Sequence, residues 1–227
     1  MTMKQKRPYF SHHRLGYRKN PFGALTEEEW TAVSFLPDEA AAALAEGGTH
    51  IQLLGRDGCG KTSTLLQMAA RLEESGQTAV YEYIPEGQNW FGKGNGRFDV
   101  FILDEAQRLN WRQRRRWLKL GQAHRLIFSS HADLTPYFKR RGWPLWSFDV
   151  ATAVTPATYA AWIDRRLTYF AIPQTPAVTL APDASQFLYD TFGPNMREAE
   201  YFMYEVWQGL TEVGEVTAEY LARRYKN

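Results

Sequence analysis

The sequence predicts an α/β fold: a parallel five-stranded sheet flanked by helices, followed by a small, all-helical C-terminal region. Three observations carry that reading. Apolar strand-like runs alternate with helical segments between residues 50 and 150, the pattern of a parallel sheet covered on both faces. A glycine-rich loop, Gly55-Arg56-Asp57-Gly58-Cys59-Gly60-Lys61-Thr62, separates the first of these strands from a helix. After Pro156 the periodicity is helical only.

Residues 1–23 read as a basic, aromatic, turn-rich arm closing on Asn20-Pro21-Phe22-Gly23. Before Glu27 it carries Lys4, Lys6, Arg7, Arg14, Arg18 and Lys19, with no acid. Residues 26–46 read as two helices, one opened by Thr26 and its following acids, the other by Pro37-Asp38-Glu39 and stopped at Gly47-Gly48. Strand 51–54 then leads through the glycine loop into a helix from Lys61 to Glu74. A strand over 79–84 stops at Pro85, a Gly/Asn-rich loop covers Gly87–Gly96, and a buried strand from Phe98 to Leu103 delivers Asp104 and Glu105. A basic helix over 108–121, a strand at 125–128, a short helix at 134–140 and a strand at 146–150 complete the α/β part. Helices are expected at 156–170, 183–192, 195–209 and 215–225. The expected organisation is an arm and Asn-Pro-Phe segment (1–23), an α/β nucleotide-binding domain (24–153) and a helical lid (154–227).

Composition sets outer bounds. The 227 residues are 44% hydrophobic and 15% aromatic, enough for a sizeable core. Eight Trp are more than such a core needs, and point to an aromatic surface that meets a partner. A net charge of +2 says little about partners; its local distribution says more. The single cysteine, Cys59, excludes an intrachain disulfide and fits a reducing compartment. No apolar run has membrane-spanning length and the N-terminus lacks a signal-peptide stretch, so a cytoplasmic protein without membrane contact is expected.

The loop pattern G-x-x-x-x-G-K-[ST], set between a strand and a helix, is the arrangement that binds a nucleoside triphosphate. Glycines let backbone N–H groups wrap the phosphates, Lys61 reaches the terminal phosphates, and the Thr62 hydroxyl ligates Mg2+. The binding set is therefore Gly55 to Thr62 with the following Ser63. The strand ending in Asp104-Glu105 supplies the other half. Ligands bind beyond the carboxyl ends of parallel strands, where Asp104 can hold the metal and Glu105 can polarise an attacking water. That position favours catalysis over two acids that merely complement a helix dipole. Ser129, Ser130 and His131 end the next strand, either to feel the terminal phosphate or to cap the following helix. Arg140 and Arg141 read as a solvated basic pair or as arginines reaching a neighbouring subunit's nucleotide.

Together these motifs resemble the AAA+ ATPases, which implies ATP and Mg2+ as ligands, Mg-dependent hydrolysis and a homo-oligomer, ring or filament. The resemblance extends to the polar Ser130-His131 step, the arginine pair before the last strand, and Gly193-Pro194-Asn195-Met196-Arg197. There Arg197 matches the arginine by which a helical lid senses the nucleotide, with one residue inserted. Tyr17-Arg18-Lys19-Asn20-Pro21-Phe22 is similar to the segment that lies near the adenine in secretion-type and transposition-type members, which makes Pro21 and Phe22 base contacts. Asp104-Glu105-Ala106-Gln107 fits the same branch. One departure is the short connection between Ile84 and Phe98, where the family usually places a full helix. Trp90-Phe91-Gly92 matches the residue types of a peptide-threading pore loop, but a turn whose aromatics dock on a neighbour suits the missing helix better.

The stretch Arg112-Gln113-Arg114-Arg115-Arg116-Trp117-Leu118-Lys119, with Trp111 before it, interleaves cations and aromatics. Such a helix suits a nucleic-acid backbone; a solvated flank or a subunit contact is the plainer alternative. Without a base-reading module, binding to double-stranded DNA is expected to be sequence-independent, in a transposition-type target-selection ATPase with a protein partner. A nucleotide-gated protein–protein switch that never touches DNA is the other reading. A helicase lacks support, because the chain holds no second α/β motor domain.

Overall fold

The computed structural model describes residues 12–226; Lys4, Lys6 and Arg7 of the basic arm lie outside the described residues. The chain divides into two compact units. One runs Glu27–Val154, and the other joins the chain up to Thr26 with Thr155 onward.

In the first unit, α1 (Glu27–Val33) and α2 (Asp38–Glu46) precede β1 (His50–Leu54), α3 (Lys61–Glu74) and β2 (Ala79–Tyr83). Then follow β3 (Val100–Asp104), α4 (Trp111–Leu120), β4 (Arg125–Ser130), α5 (Thr135–Lys139) and β5 (Leu145–Asp149). All five strands pair in parallel, in the order β2-β3-β4-β1-β5. The expected elements are present with small shifts in their ends.

Side-chain alternation along the central strands divides the core. Val100 and Ile102 of β3 and Ile127 of β4 pack with Leu65, Met68 and Leu72 of α3. Phe101, Leu103, Leu126 and Phe128 face the other way, toward Trp117 and Leu118 of α4 and Phe138 of α5. The period of two follows from the pleat. Helix α3 meets its layer through Lys61, Thr64, Leu65, Met68 and Leu72, a single helical face. Asn110 opens α4 by accepting the Gln113 N–H at 3.0 Å.

The second unit holds α6 (Pro156–Phe170), α7 (Pro182–Phe192), α8 (Met196–Gln208) and α9 (Ala218–Tyr225). Side chains cap three of these helices, Thr155 accepting from Thr158, Asn195 from Glu198 and Thr217 from Tyr220, while α7 opens on Pro182 without a side-chain cap. It is not entirely helical. Two-residue strands β6 (Thr179–Leu180) and β7 (Glu215–Val216) pair in parallel, too short to leave a periodic signal.

The described part of the N-terminal segment is built into this second unit. Arg18 N–H donates to Phe170 O, Ile172 N–H to Gly16 O and Val178 N–H to Leu15 O. Gly16 has φ +84° and passes so near Ala177 that a Cβ would lie 2.5 Å from its backbone, so a side chain is excluded there. No helix among the described residues is long and apolar enough to cross a membrane.

Candidate functional site

The sheet order explains the site. With β4 between β1 and β3, the carboxyl ends of all three strands open on one edge, and the loop after β1 faces the acids after β3. Gly55 has φ +142°, and a Cβ on it would lie 2.5 Å from Cys59 Sγ, so the loop closes only on glycine. Gly60, at φ +98°, turns the chain into α3. The Cys59 thiol is buried, and that burial raises its pKa against the opposing charge of Lys61. It therefore stays a packed thiol within the loop.

Lys61 is buried at 5% exposure, and its Nζ donates to Gly55 O at 2.8 Å and Arg56 O at 3.0 Å. Thr62 Oγ1 donates to Asp104 Oδ2 at 2.7 Å. The fully buried Asp104 carboxylate gathers two more donors, Tyr81 O–H at 3.1 Å on Oδ2 and Ser129 O–H on Oδ1. Burial, and then the Asp104 charge, push the Tyr81 hydroxyl far above its ordinary pKa, so it acts as a donor.

Glu105 is held from several directions. Its φ of 68° and ψ of 44° place it in the left-handed region, uncommon for a side-chain-bearing residue. Its N–H donates to Ser129 Oγ at 2.8 Å. Its carboxylate accepts from Gln107 Nε2 at 2.7 Å and pairs with Arg108 at 3.2 Å. Arg108 is itself fixed on Ile84 O at 2.7 Å. On the other oxygen, Glu105 lies 4.0 Å from Lys61 and 3.4 Å from His131 Nε2.

The structure thus brings Lys61, Thr62, Asp104, Glu105 and His131 together. His131 Nε2 lies 3.2 Å from Lys61 Nζ and 3.4 Å from Asp57 Oδ1. With a proton on Nε2 it donates to a carboxylate; without one it accepts from Lys61. Asp57, Glu105 and His131 offer ligand atoms all within 4.8 Å of one another.

Ser130 behaves differently from Ser129. Its Oγ donates to Ala132 O at 2.6 Å and accepts the Ala132 N–H at 3.1 Å, so it shapes the turn after β4. Side-chain alternation accounts for this. Ser129 follows Ile127 onto the α3 side, where Asp104 lies, and Ser130 follows Phe128 onto the opposite side. Tyr81 and Arg108 were not singled out from sequence, and Gln107 only as the last residue of the Asp104–Gln107 motif. Tyr81 reaches Asp104 because β2 pairs with β3 in register Tyr81↔Ile102, a non-local fact. Arg108 was legible only as an i,i+3 partner of Glu105.

Arg140 and Arg141 are both exposed at the end of α5. Arg141 donates to Tyr137 O at 2.7 Å and lies over Trp143, whereas Arg140 has no side-chain partner among the described residues. Pro21, Phe22 and Arg197 belong to the second unit. Phe22 is buried, with its ring 4.9 Å from that of Trp207 and 5.6 Å from that of Trp162. Pro21 O accepts from Arg166 at 3.0 Å. Arg197 is exposed on the first turn of α8.

Fold and loop together define a P-loop NTPase architecture. Among solved structures the chain is similar to the RuvB Holliday junction branch migration motor of Thermotoga maritima, at 15% identity and TM-score 0.58 over 83% of this chain and 68% of that one. It is also similar to AMPPCP-bound DnaA from Aquifex aeolicus, at 16% identity and TM-score 0.52 over 83% of this chain and 63% of that one. The replication initiator DnaA bound to AMPPCP and single-stranded DNA gives 14% identity and the same TM-score of 0.52, again over 83% and 63% of the two chains. At such identities the likeness is one of fold. No protein-family model and no curated protein matches the chain.

Proposed function

We propose that this chain is an AAA+ P-loop ATPase that binds and hydrolyses ATP with Mg2+, oligomerises, and acts on double-stranded DNA without sequence preference, as a transposition-type target-selection regulator. The observation that carries the reading is the 2.7 Å bond between Thr62 and Asp104, with Lys61 and Glu105 beside it. Two hard oxygen donors so placed fit Mg2+, which takes few protein oxygens and completes its shell with phosphate and water. Thr62 and Asp104 would hold the ion there, where it would neutralise charge on the phosphate oxygens.

The chain's own residues do the rest. Backbone N–H groups of Gly55 to Ser63 cradle the phosphates, and Lys61 exchanges its carbonyl partners for phosphate oxygens. Glu105 accepts a proton from the attacking water as that oxygen bonds to the γ-phosphorus and ADP leaves. Ser129 and Gln107 orient Glu105; His131 links it to the loop. Arg140, the less engaged of the arginine pair, is assigned to a neighbouring subunit's nucleotide. Arg197, Pro21 and Phe22 are carried as nucleotide contacts on the family resemblance alone.

The test is ATP turnover and assembly, with and without Mg2+ and duplex DNA at low salt, in the parent and in Lys61→Ala. Turnover that needs Mg2+ and Lys61 and rises with duplex supports the proposal. Turnover and assembly indifferent to DNA would leave a nucleotide-gated protein–protein switch.

A further inference from the structure

Outside the phosphate site, one surface of the α/β unit combines features its own folding does not use. Trp111 is 63% exposed and Trp90 52%, although indole is the largest aromatic group a core could claim. Both are rigidly mounted. Asn110 and Asn89, the residues before them, share a backbone bond and a side-chain bond, each 3.0 Å. Beyond Trp90, Phe91 is buried in the core and the Gly92 and Lys93 N–H groups donate to the Glu82 carboxylate at 2.6 and 2.7 Å. The loop is therefore pinned, and the Trp90 ring is presented rather than left hanging. Tyr83, 47% exposed, continues the surface under Arg108, whose guanidinium lies 5.7 Å from its ring centre.

The cations on this face are selected by packing. Arg114 turns inward to Tyr137 O–H and to the carbonyls of Gln107 and Leu109, and Arg116 lies 4.6 Å over Phe91. Arg116 is nonetheless exposed, and with it Arg112, Arg115 and Lys119, the last three at helical spacing with Arg112 5.1 Å over the Trp111 ring. Helix α4 contains no acid. Two copies of such a face would bring like charges together, so a second copy of the chain is a poor occupant. A polyanion with flat aromatic groups is a good one. Duplex DNA offers phosphates, but its bases are already stacked on each other; only an unpaired base can lie on an exposed indole.

We infer that the surface formed by Trp90, Trp111, Arg112, Arg115 and Lys119 binds single-stranded nucleic acid, stacking unpaired bases on the two indoles while the cations track the backbone. The inference rests on the nucleic-acid part of the proposed function and adds to it: a duplex is held through the cations alone, and an unpaired strand gains stacking on the two indoles besides.

The test uses the full chain, a labelled oligothymidylate and a labelled duplex of equal length, with anisotropy read across a salt series. Joint substitution Trp90→Ala and Trp111→Ala is expected to weaken single-strand binding about tenfold or more and leave duplex binding within about twofold. Trp90→Phe with Trp111→Phe keeps a stacking ring and is expected to restore most of the affinity, which separates lost stacking from lost folding. Arg112→Ala with Arg115→Ala is expected to weaken both ligands and lower the single-strand salt slope by about 1.4. Parent-like single-strand binding by the double Trp→Ala variant overturns the inference while leaving the DNA reading intact. A loss of self-association in that variant, with strand binding unchanged, overturns it in favour of a subunit interface. A parent that binds neither ligand overturns both readings together.

Discussion

Replacing Ser129 by alanine tests whether the site is a connected hub. The Ser129 hydroxyl donates to Asp104 and accepts the Glu105 N–H at 2.8 Å, at a position with no solvent exposure. The first is a bond to a charged group, contributing about 1.5–3 kcal/mol, and an orphaned buried N–H costs about 1–3 kcal/mol. Because one hydroxyl makes both bonds their effects overlap, and a net loss of about 3 kcal/mol of stability is expected. The rate should suffer separately. Glu105 is held in the left-handed region, a conformation costing about 1–2 kcal/mol, and the Ser129 bond is one of the contacts that keep it there. Released, the backbone relaxes, and a shift of about 1 Å in a positioned group costs about 100-fold in rate. Urea denaturation should show a lower midpoint at unchanged slope, steady-state turnover should fall, and Ser129→Thr should recover both. Stability within about 0.5 kcal/mol of the parent, with turnover unchanged, refutes the hub.

Other consequences concern different parts of the chain. Burial, and then the Arg125 charge, lower the His50 pKa to about 4, where its Nδ1 accepts the Leu126 N–H at 2.9 Å. The unfolded state then takes up a proton first on acidification, so this contribution is full above pH 6.5 and falls away as the pH drops toward 4. Allowing for solvent screening it amounts to about 2 kcal/mol, and denaturation midpoints of His50→Gln should lose that part of the acid slope. Arg140→Ala should abolish turnover alone and regain it when mixed with Lys61→Ala subunits; Arg141→Ala should lower it less, and equal loss without complementation contradicts action across an interface. Glu82→Ala removes the acceptor of the Gly92 and Lys93 N–H groups and should speed amide hydrogen exchange across 87–96, by about tenfold for a lost charged bond. Unchanged exchange would mean that Phe91 and the Asn89–Asn110 bonds hold the loop without Glu82.

Local chemistry was readable in the sequence; choices made by pairing were not. The loop from Gly55 to Thr62 and the strand carrying Asp104 announce themselves by spacing and apolar periodicity. Ser129 and Ser130 are adjacent and chemically identical; the pleat turns Ser129 to the Asp104 side, and the pairing of β4 with β3 brings it within reach. Tyr81 needed the β2–β3 register, and Glu82 needed a loop that folds back on its own strand. Composition counted the cations of α4 but could not say that Arg114 and Arg116 turn to aromatic and carbonyl partners. The Asn-Pro-Phe segment was read by resemblance as a base contact; the packing of Phe22 against Trp162 and Trp207 in the second unit left no periodic mark in the sequence.

The most direct measurement of the central claim is ATP binding and single-turnover hydrolysis by Glu105→Gln beside the parent. The substitution keeps the size and one acceptor oxygen for Gln107 but removes the charge and the proton acceptor. The account predicts parent-like ATP affinity with hydrolysis reduced at least about 100-fold, the scale of a general base. Parent-like hydrolysis by Glu105→Gln would contradict it.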